Sequence, residues 1–504
     1  MGGDPVLLRG AGRLLGGTPA GGRGAPVGGP GGAPAGGPGA PSEPLEIELG
    51  DDGFSFRLVG GSPRQAAYRD VAAIAIQPGA ALLALGSEAG GPRLLCERFG
   101  EHLGMLVREM RDRRLTQRLA DRFIDLPDDG AIELVEYARE AAGAPFPGES
   151  GIAQLAYHDR GFVLAPLDDR LAWHVVPRAA IVRVEEQPEV GGVRVALESA
   201  PPIHLVRVGP ASRRHAMRLA GLRDAALADA GAIVGGLIPD APFAARDLAT
   251  SSLVDGRPCG PERLGAAWGP LERAVLTEPA FAESYRALVA KAGGETSLRW
   301  LAIAPEQPGS PVPRAWFFVA LPGNLVAMEL VSAGAHATYL FRVVPRGTYA
   351  GEAPGAMQAA YEAAVGAISE TLVDIRFLRE PIGLPETSLG SPEYMRYRLA
   401  IAALPSLAAA RARFVGRVVH DDGWSAAVDD VIAWHRACRD DAATWPGRAR
   451  QEAAILGTGD EPGTAVLGGG PVALGAGSAA SGAGSVAPPV GTVGPGTRSG
   501  RPTG

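Results

Sequence analysis

Four residues near the carboxyl-terminal end of the sequence have side chains of the types that bind metal ions or transfer protons. His420 and Asp422 precede a predicted helix, and Asp430 and His435 lie on it, five residues apart. Side chains three or four residues apart share a helix face, so this spacing comes close to one face without matching it. Aspartates at a helix start also cap its free N–H groups, which explains them without a metal. We therefore predict no metal site and keep these four residues as the only candidates for one, or for catalysis.

Other signatures of catalysis do not occur in the sequence. It contains no GxSxG, HExxH or GxxxxGK[ST] motif. Cys96, Cys259 and Cys438 lie far apart, which excludes a CxxC zinc site and indicates no disulfide framework. Isolated thiols are typical of a reducing compartment, and the first residues lack the basic and apolar regions of a signal peptide. We predict a cytoplasmic protein that is not an enzyme and uses no cofactor.

Aromatic residues are concentrated in two predicted strands of the later sequence. Residues 316–318 are Trp-Phe-Phe, so their side chains alternate between the two faces of a strand, and both faces are predicted to be covered. His336 precedes the run that contains Tyr339 and Phe341, where it is placed to face a groove. Core packing is our main interpretation of the aromatic residues. A partner groove formed by His336, Tyr339 and Phe341 is the alternative.

The charge balance argues against nucleic acid as a partner. The chain carries 48 basic and 55 acidic residues, a net charge of −7, whereas nucleic-acid binding needs a basic surface. A predicted helix over 100–123 is rich in arginine, but acidic residues interleave with the arginines, which predicts a solvated, ion-paired helix face. No run of 18 apolar residues occurs, so we expect no membrane span.

Glycine and proline account for 71 and 44 of the 504 residues and are concentrated at the two ends of the sequence. Residues 1–43 and 455–504 contain too little apolar surface to offset the entropy cost of ordering, so we predict disordered tails there. The chain has a single lysine, Lys291, and its abundance of Ala, Gly, Pro and Arg is typical of a GC-rich bacterial genome.

Between the tails, a series of short strands followed by one long helix is predicted twice, over residues 44–125 and 151–236. Short apolar runs separated by turn residues indicate antiparallel strands, and an apolar stripe indicates the helix. The offsets between the halves drift slowly from 108 to 112, which is typical of loop insertions, and we predict a duplicated module. The aligned residues are Phe54 with Phe162, Ile74 with Val182, Arg98-Phe99-Gly100 with Arg207-Val208-Gly209, and Arg111 with Arg223.

Six or seven short antiparallel strands closed by one amphipathic helix, in about 100 residues, resemble the pleckstrin-homology-like fold. The resemblance rests on element order and implies two small β-barrels, each with a carboxyl-terminal helix. Many lipid-binding members carry basic residues on the first strand–loop–strand segment. Here that segment, 46–57, contains Glu46, Glu48, Asp51 and Asp52 but only one arginine, Arg57, so lipid binding is disfavoured.

The rest of the folded part is predicted to be an α+β domain over 259–454. Strong β runs are followed by runs of helix, which is typical of an antiparallel sheet packed against helices rather than of a doubly wound fold. Pro405 is expected to kink or split one of these helices. Residues 126–150, with a short helix, and 237–258 are predicted linkers.

With no catalytic motif, the sequence favours a binding function. We expect protein–protein interaction or scaffolding with an unknown protein partner, in the form of an extended peptide that pairs with an exposed sheet edge of either module. The alternative is a small-molecule or lipid ligand in an apolar cavity of the carboxyl-terminal α+β domain.

Overall fold

The computed structural model describes residues 6–15, 42–86, 92–127, 130–140, 147–310, 312–330, 336–343, 354–419 and 424–437. These residues form a mixed α/β structure of three antiparallel sheets and associated helices, within one compact unit. In the ranges given, no helix is long and apolar enough to cross a membrane. The tail predicted over 455–504 lies outside the described residues.

The first sheet has seven strands, and a long helix, α1 (His102–Ala120), follows it. Its strand order is β4-β3-β2-β1-β7-β6-β5, and all neighbours are antiparallel. We call these strands and α1 the first module. The strands are β1 (Val6–Leu15), β2 (Glu43–Leu49), β3 (Gly53–Leu58), β4 (Arg64–Ala67), β5 (Val71–Gln77), β6 (Ala80–Leu85) and β7 (Arg93–Glu97).

The central strand β1 corrects the sequence prediction, which assigned residues 1–43 to a disordered tail. β1 pairs with both β2 and β7, so residues 6–15 are part of the sheet. The sequence prediction missed this strand because two of its residues are glycines, as in the glycine-rich segment that follows. A side chain at Gly10 would overlap the Phe99 ring, and one at Gly12 would overlap the backbone of Leu95, so close packing requires glycine at both positions.

The second sheet also has seven strands, followed by helix α2 (Ser212–Leu237), and these elements form the second module. Its order, β11-β10-β9-β8-β14-β13-β12, repeats the order of the first sheet. β8 lies where the sequence predicted a linker with a short helix (126–150), and that prediction is wrong. The strands are β8 (Glu133–Glu140), β9 (Pro147–His158), β10 (Gly161–Pro166), β11 (His174–Pro177), β12 (Ile181–Gln187), β13 (Gly192–Leu197) and β14 (Ile203–Val206).

The two sheets also share irregular backbone features. β5 has a β-bulge just after Val71, and β12 has one just after Ile181. Before each helix, an arginine and the second residue after it, a glycine, have positive φ, at Arg98 (55°) and Gly100 (56°) and at Arg207 (53°) and Gly209 (54°). Because the bulges fix the register, Ile74 corresponds to Val184, which corrects the predicted alignment with Val182.

The third region begins with four helices, continues with a five-stranded sheet and ends with six more helices, one strand of the sheet lying between the last two. The sheet is antiparallel in the order β15-β16-β17-β18-β19. The elements are α3 (Phe243–Ser252), α4 (Pro261–Leu264), α5 (Trp268–Val275), α6 (Pro279–Lys291), β15 (Arg299–Pro305), β16 (Pro313–Leu321), β17 (Asn324–Leu330), β18 (His336–Arg342), α7 (Pro354–Asp374), α8 (Glu380–Gly383), α9 (Glu386–Leu389), α10 (Met395–Ala403), α11 (Pro405–Arg413), β19 (Phe414–Val419) and α12 (Trp424–Ala437).

Three predicted features of the third region are the helix break at Pro405, the linker 237–258 and the covered aromatic residues 316–318. Pro405 does split a helix, since α10 ends at Ala403 and α11 begins at Pro405. The predicted linker 237–258 contains helix α3, so it is not an irregular connection. Helices cover both faces of the sheet, and residues 316–318 are fully buried, which confirms that the consecutive aromatics pack on both sides.

Candidate functional site

The residues predicted as metal or catalytic candidates fall only partly within the described structure. His420 and Asp422 lie outside the described residues, whereas Asp430 and His435 are part of α12. Asp430 is exposed. Among the residues that the structure describes, no group of three or more His, Cys, Asp or Glu side chains is arranged to hold a metal ion.

The predicted aromatic groove is not formed by its two aromatic members. Tyr339 and Phe341 are 2% and 1% exposed and lie in the core between the sheet and the helices that cover it. Their rings contact the Phe414 ring, with centroids 6.4 and 5.8 Å from it. Side chains this deeply buried do not line an open groove, which corrects the prediction; His336 is the first residue of β18.

Burial also removes the two described cysteines as nucleophiles. Cys96 and Cys259 are fully buried free thiols. Loss of solvation raises the pKa of Cys96 to about 12 and that of Cys259 to about 11, so both thiols stay protonated at neutral pH. The third cysteine, Cys438, lies outside the described residues.

The arginine-rich helix α1 packs against the sheets of both modules. Arg114 is 3% exposed, and its guanidinium lies 2.6 Å from the Asp169 carboxylate of the second module. Arg118 and Arg122 lie over the ring of Trp173, 5.4 and 6.0 Å from its centroid. The predicted solvated face is therefore wrong for these arginines, because the second module covers that side of the helix.

The same contacts close the outer edge of β5. Asp169 accepts a hydrogen bond from the Ile74 N–H at 3.0 Å. On the carbonyl side, α1 donates from Arg118 to Val71 O at 3.1 Å and from Arg111 to Ile74 O at 3.5 Å. An edge strand with satisfied main-chain groups offers no template for another strand. The predicted peptide-binding edge of the first module is thus occupied at Val71 and Ile74.

The corresponding edge of the second module, β12, is unpaired. The β12–β13 register turns the main-chain groups of Val184 and Glu186 away from the sheet, as it does for Ile74 in β5. No described residue hydrogen-bonds to these outward groups. The helices also differ beside this edge: at the offset of 112 residues α2 has Ala226 and Ala230 where α1 has Arg114 and Arg118, which donate to the carbonyls of Val71 and Ala72.

A hollow of about 190 Å³ opens between the first residues of β12 and helix α2. Val182 and Leu227 are 56% and 37% exposed, so the hollow presents apolar side chains to solvent beside the unpaired edge. The lining contains both apolar and charged or polar residues. It consists of Ala179, Ile181, Val182, Ala226, Leu227 and Val254 together with Arg178, Glu198, Arg223, Ser251 and Arg257.

Three arginines of the lining differ in how firmly they are held. Arg178 is 3% exposed and binds Asp255 through two hydrogen bonds of 2.7 Å and Asp229 through one of 2.6 Å. Arg257 donates to Ala179 O at 2.9 Å and pairs with Glu198. Arg223 pairs only with its exposed neighbour, Asp224, at 2.6 Å. Arginine does not transfer protons at neutral pH, so these groups are suited to binding rather than to acid–base catalysis.

Asp169 provides a test of the closed edge. Replacement by alanine is expected to lower the free energy of unfolding by about 1–3 kcal/mol, because it leaves the buried Arg114 charge and the Ile74 N–H without their partner. Urea unfolding of the full chain measures the change. Asp168→Ala is the control, since Asp168 pairs with the exposed Arg170, and it should cost less than about 1 kcal/mol. Equal losses in both variants would contradict the interface role of Asp169.

Comparison with known proteins assigns no family to this chain. No protein-family model matches the sequence, and no curated protein matches it. The sequence predicted a peptide-binding edge in either module; the structure leaves the edge of the second module unpaired and adds the hollow. The residues of the hollow come from four separate parts of the sequence, and no motif marks them.

Proposed function

We propose that the protein is a non-catalytic protein-binding or scaffolding protein that binds an extended segment of a partner protein at β12. In this proposal, the segment adds to the sheet by pairing with the outward main-chain groups of Val184 and Glu186. An apolar side chain of the segment enters the hollow between Val182 and Leu227. The unpaired edge beside an apolar hollow is the observation that carries the proposal.

We further propose that the two modules are pleckstrin-homology-like and arose by duplication. The shared strand order, the shared bulge position and the matching positive φ angles support this proposal. Duplicated modules are free to take different roles. The first module closes its edge with its own helix and with the second module, whereas the second keeps its edge for a partner. We propose a cytoplasmic location on the basis of the isolated thiols.

The alternative function, a small-molecule or lipid ligand in the carboxyl-terminal region, has less support. The hollow beside β12 is lined by the second module, α2 and the residues around α3. A second hollow, lined by residues that include Ile233, Leu253 and Ile303, has no room for a water molecule. Neither hollow is lined by residues of the strands over 315–344 in the α+β domain.

Val184→Pro tests the proposed edge. Proline removes the outward N–H, and it is tolerated on an edge strand when that N–H is not part of the ladder, so the fold should persist. We expect peptides selected from a random displayed library on the full-length chain to bind the variant about tenfold or more weakly, which corresponds to about 1.4 kcal/mol. Fluorescence anisotropy measures the binding, and circular dichroism checks the fold.

Ile76→Pro is the matched control. Ile76 also turns its main-chain groups outward, but it lies on β5, where the neighbouring outward groups of Ile74 are already bonded to Asp169 and Arg111. We expect this variant to bind the selected peptides like the wild type. Leu227→Glu, which places a charge in the hollow, gives a second route to the same loss. Peptides that bind all three variants equally would overturn the proposal.

A further inference from the structure

The first module shows how an edge of this kind binds an acidic side chain. One carboxylate oxygen of Asp169 accepts from the Ile74 N–H at 3.0 Å, and the other binds Arg114 at 2.6 Å. Asp169 lies between β10 and β11, so it belongs to the second module and acts as a ligand of the first. A main-chain N–H together with an arginine from the following helix is therefore a working carboxylate site within this chain.

The second module has the corresponding main-chain N–H, and a different arginine lies near it. Val184 corresponds to Ile74 in the register, and its N–H points outward in the same way. Ala226 replaces Arg114, but Arg223, one turn earlier on α2, corresponds to Arg111, whose guanidinium reaches the β5 edge at Ile74 O. Arg223 also lines the hollow beside β12. A cation thus lies close to the unpaired edge.

Arg223 is the arginine of the hollow that is most readily available to a ligand. Its pair with Asp224 is on the surface, with the two side chains 32% and 61% exposed. Pairs of this kind contribute little to stability and exchange easily. Arg178, in contrast, is neutralised by Asp229 and Asp255, which hold it in place.

We infer that the segment bound at β12 is acidic: it carries an aspartate or glutamate whose carboxylate binds the Val184 N–H and Arg223, next to an apolar residue that enters the hollow. This inference rests on the proposed function and specifies its partner. The partner is a protein with an exposed acidic and apolar extended segment. Charge complementarity and the internal example of Asp169 both support it.

Charge reversal at Arg223 tests the inference. Displayed peptides selected on the wild-type full-length chain should be enriched in Asp or Glu at one fixed position relative to an apolar residue. On Arg223→Glu, the same peptides should bind at least tenfold more weakly, and a new selection should favour Lys or Arg at that position. Arg213→Glu is the control, because Arg213 is an exposed arginine on the same helix and does not line the hollow.

The outcomes separate the inference from the proposed function. Selected peptides that lose affinity with Val184→Pro but show no acidic position, or are unaffected by Arg223→Glu, would overturn the acidic partner and leave edge binding intact. Selected peptides that ignore Val184→Pro would overturn edge binding itself. Equal losses with Arg223→Glu and Arg213→Glu would show a general charge effect and would also overturn the specific role of Arg223.

Discussion

Replacement of Arg178 by methionine is expected to lower the free energy of unfolding by about 3–5 kcal/mol. Arg178 joins the sheet of the second module to α2 and to the third region, because Asp229 lies on α2 and Asp255 lies just beyond α3. Without the guanidinium, two carboxylates that are only 14% and 15% exposed would face each other without a cation. Methionine retains part of the aliphatic volume, so the loss reports mainly on charge.

Arg170→Met is the matched control for this prediction. Arg170 also belongs to the second module and also pairs with an aspartate, Asp168, but its side chain is 88% exposed. Exposed pairs contribute about 0–1 kcal/mol, so the control should unfold almost like the wild type. Urea unfolding followed by tryptophan fluorescence measures both variants. Similar losses for Arg178 and Arg170 would show that the buried triad does not join these parts of the chain.

Asp255 shows why the triad was not predictable from the sequence. Its backbone adopts a left-handed conformation, φ 46° and ψ 45°, which is uncommon for residues other than glycine. This conformation brings the carboxylate to an arginine 77 residues earlier in the chain. Sequence patterns report neighbours three or four residues apart, but they do not report which distant charges meet.

Elements with strong local signals were predicted better. The alternating aromatics at 316–318 and the helix break at Pro405 follow from local geometry, and both are present in the structure. Strand β1 was missed because its glycines, required by close packing, resemble the glycine-rich sequence that follows. Strand β8 was missed because its sequence also suits a helix, and pairing with β9 and β14 decides its conformation.

The candidate site was only partly predictable. A peptide edge could be expected from any sheet of this type, but the choice of edge depends on Arg114 and Asp169, which meet only after the modules pack together. The arginines of α1 were visible in the sequence, and interleaved acids suggested a solvated face. The apolar residues on the same side, Leu115 and Leu119, pack against the second module and were the signal that this side is covered.

The second large effect concerns Asp374, at the end of α7. Ser406 Oγ lies 3.4 Å from its carboxylate, and Arg160 of the second module and Arg122, just beyond α1, lie nearby. Burial, with the like charge of Glu370, raises the pKa of Asp374 to about 7, and the two arginines only partly oppose this shift. The carboxyl group is therefore largely protonated in the folded protein at pH 5 and ionised at pH 8.

The raised pKa gives stability a defined pH dependence. In the unfolded chain the pKa of Asp374 returns to its ordinary value of 3.8, so between about pH 4 and 7 the folded state holds a proton that the unfolded state has released. The contribution is fully present below about pH 4 and is lost as pH rises through about 7. We expect it to amount to about 4 kcal/mol, since the shift is about three pKa units and one unit corresponds to about 1.4 kcal/mol.

Asp374→Asn isolates this contribution, because the amide keeps the shape of the protonated acid and does not ionise. Relative to the wild type, the stability of the variant should be about 2–3 kcal/mol more favourable at pH 8 than at pH 5, because the wild type alone loses stability over that range. Urea unfolding at both pH values measures the difference. Some dependence of the free energy of unfolding on pH will remain in the variant, because burial also raises the pKa of Glu370, one turn earlier.

The control, Asp125→Asn, changes an exposed carboxylate that pairs with Arg376, so it should show no gain at pH 8. An Asp374→Asn variant that is equally destabilised at both pH values would mean that Asp374 is ionised in the folded protein, held by Arg160 and Arg122.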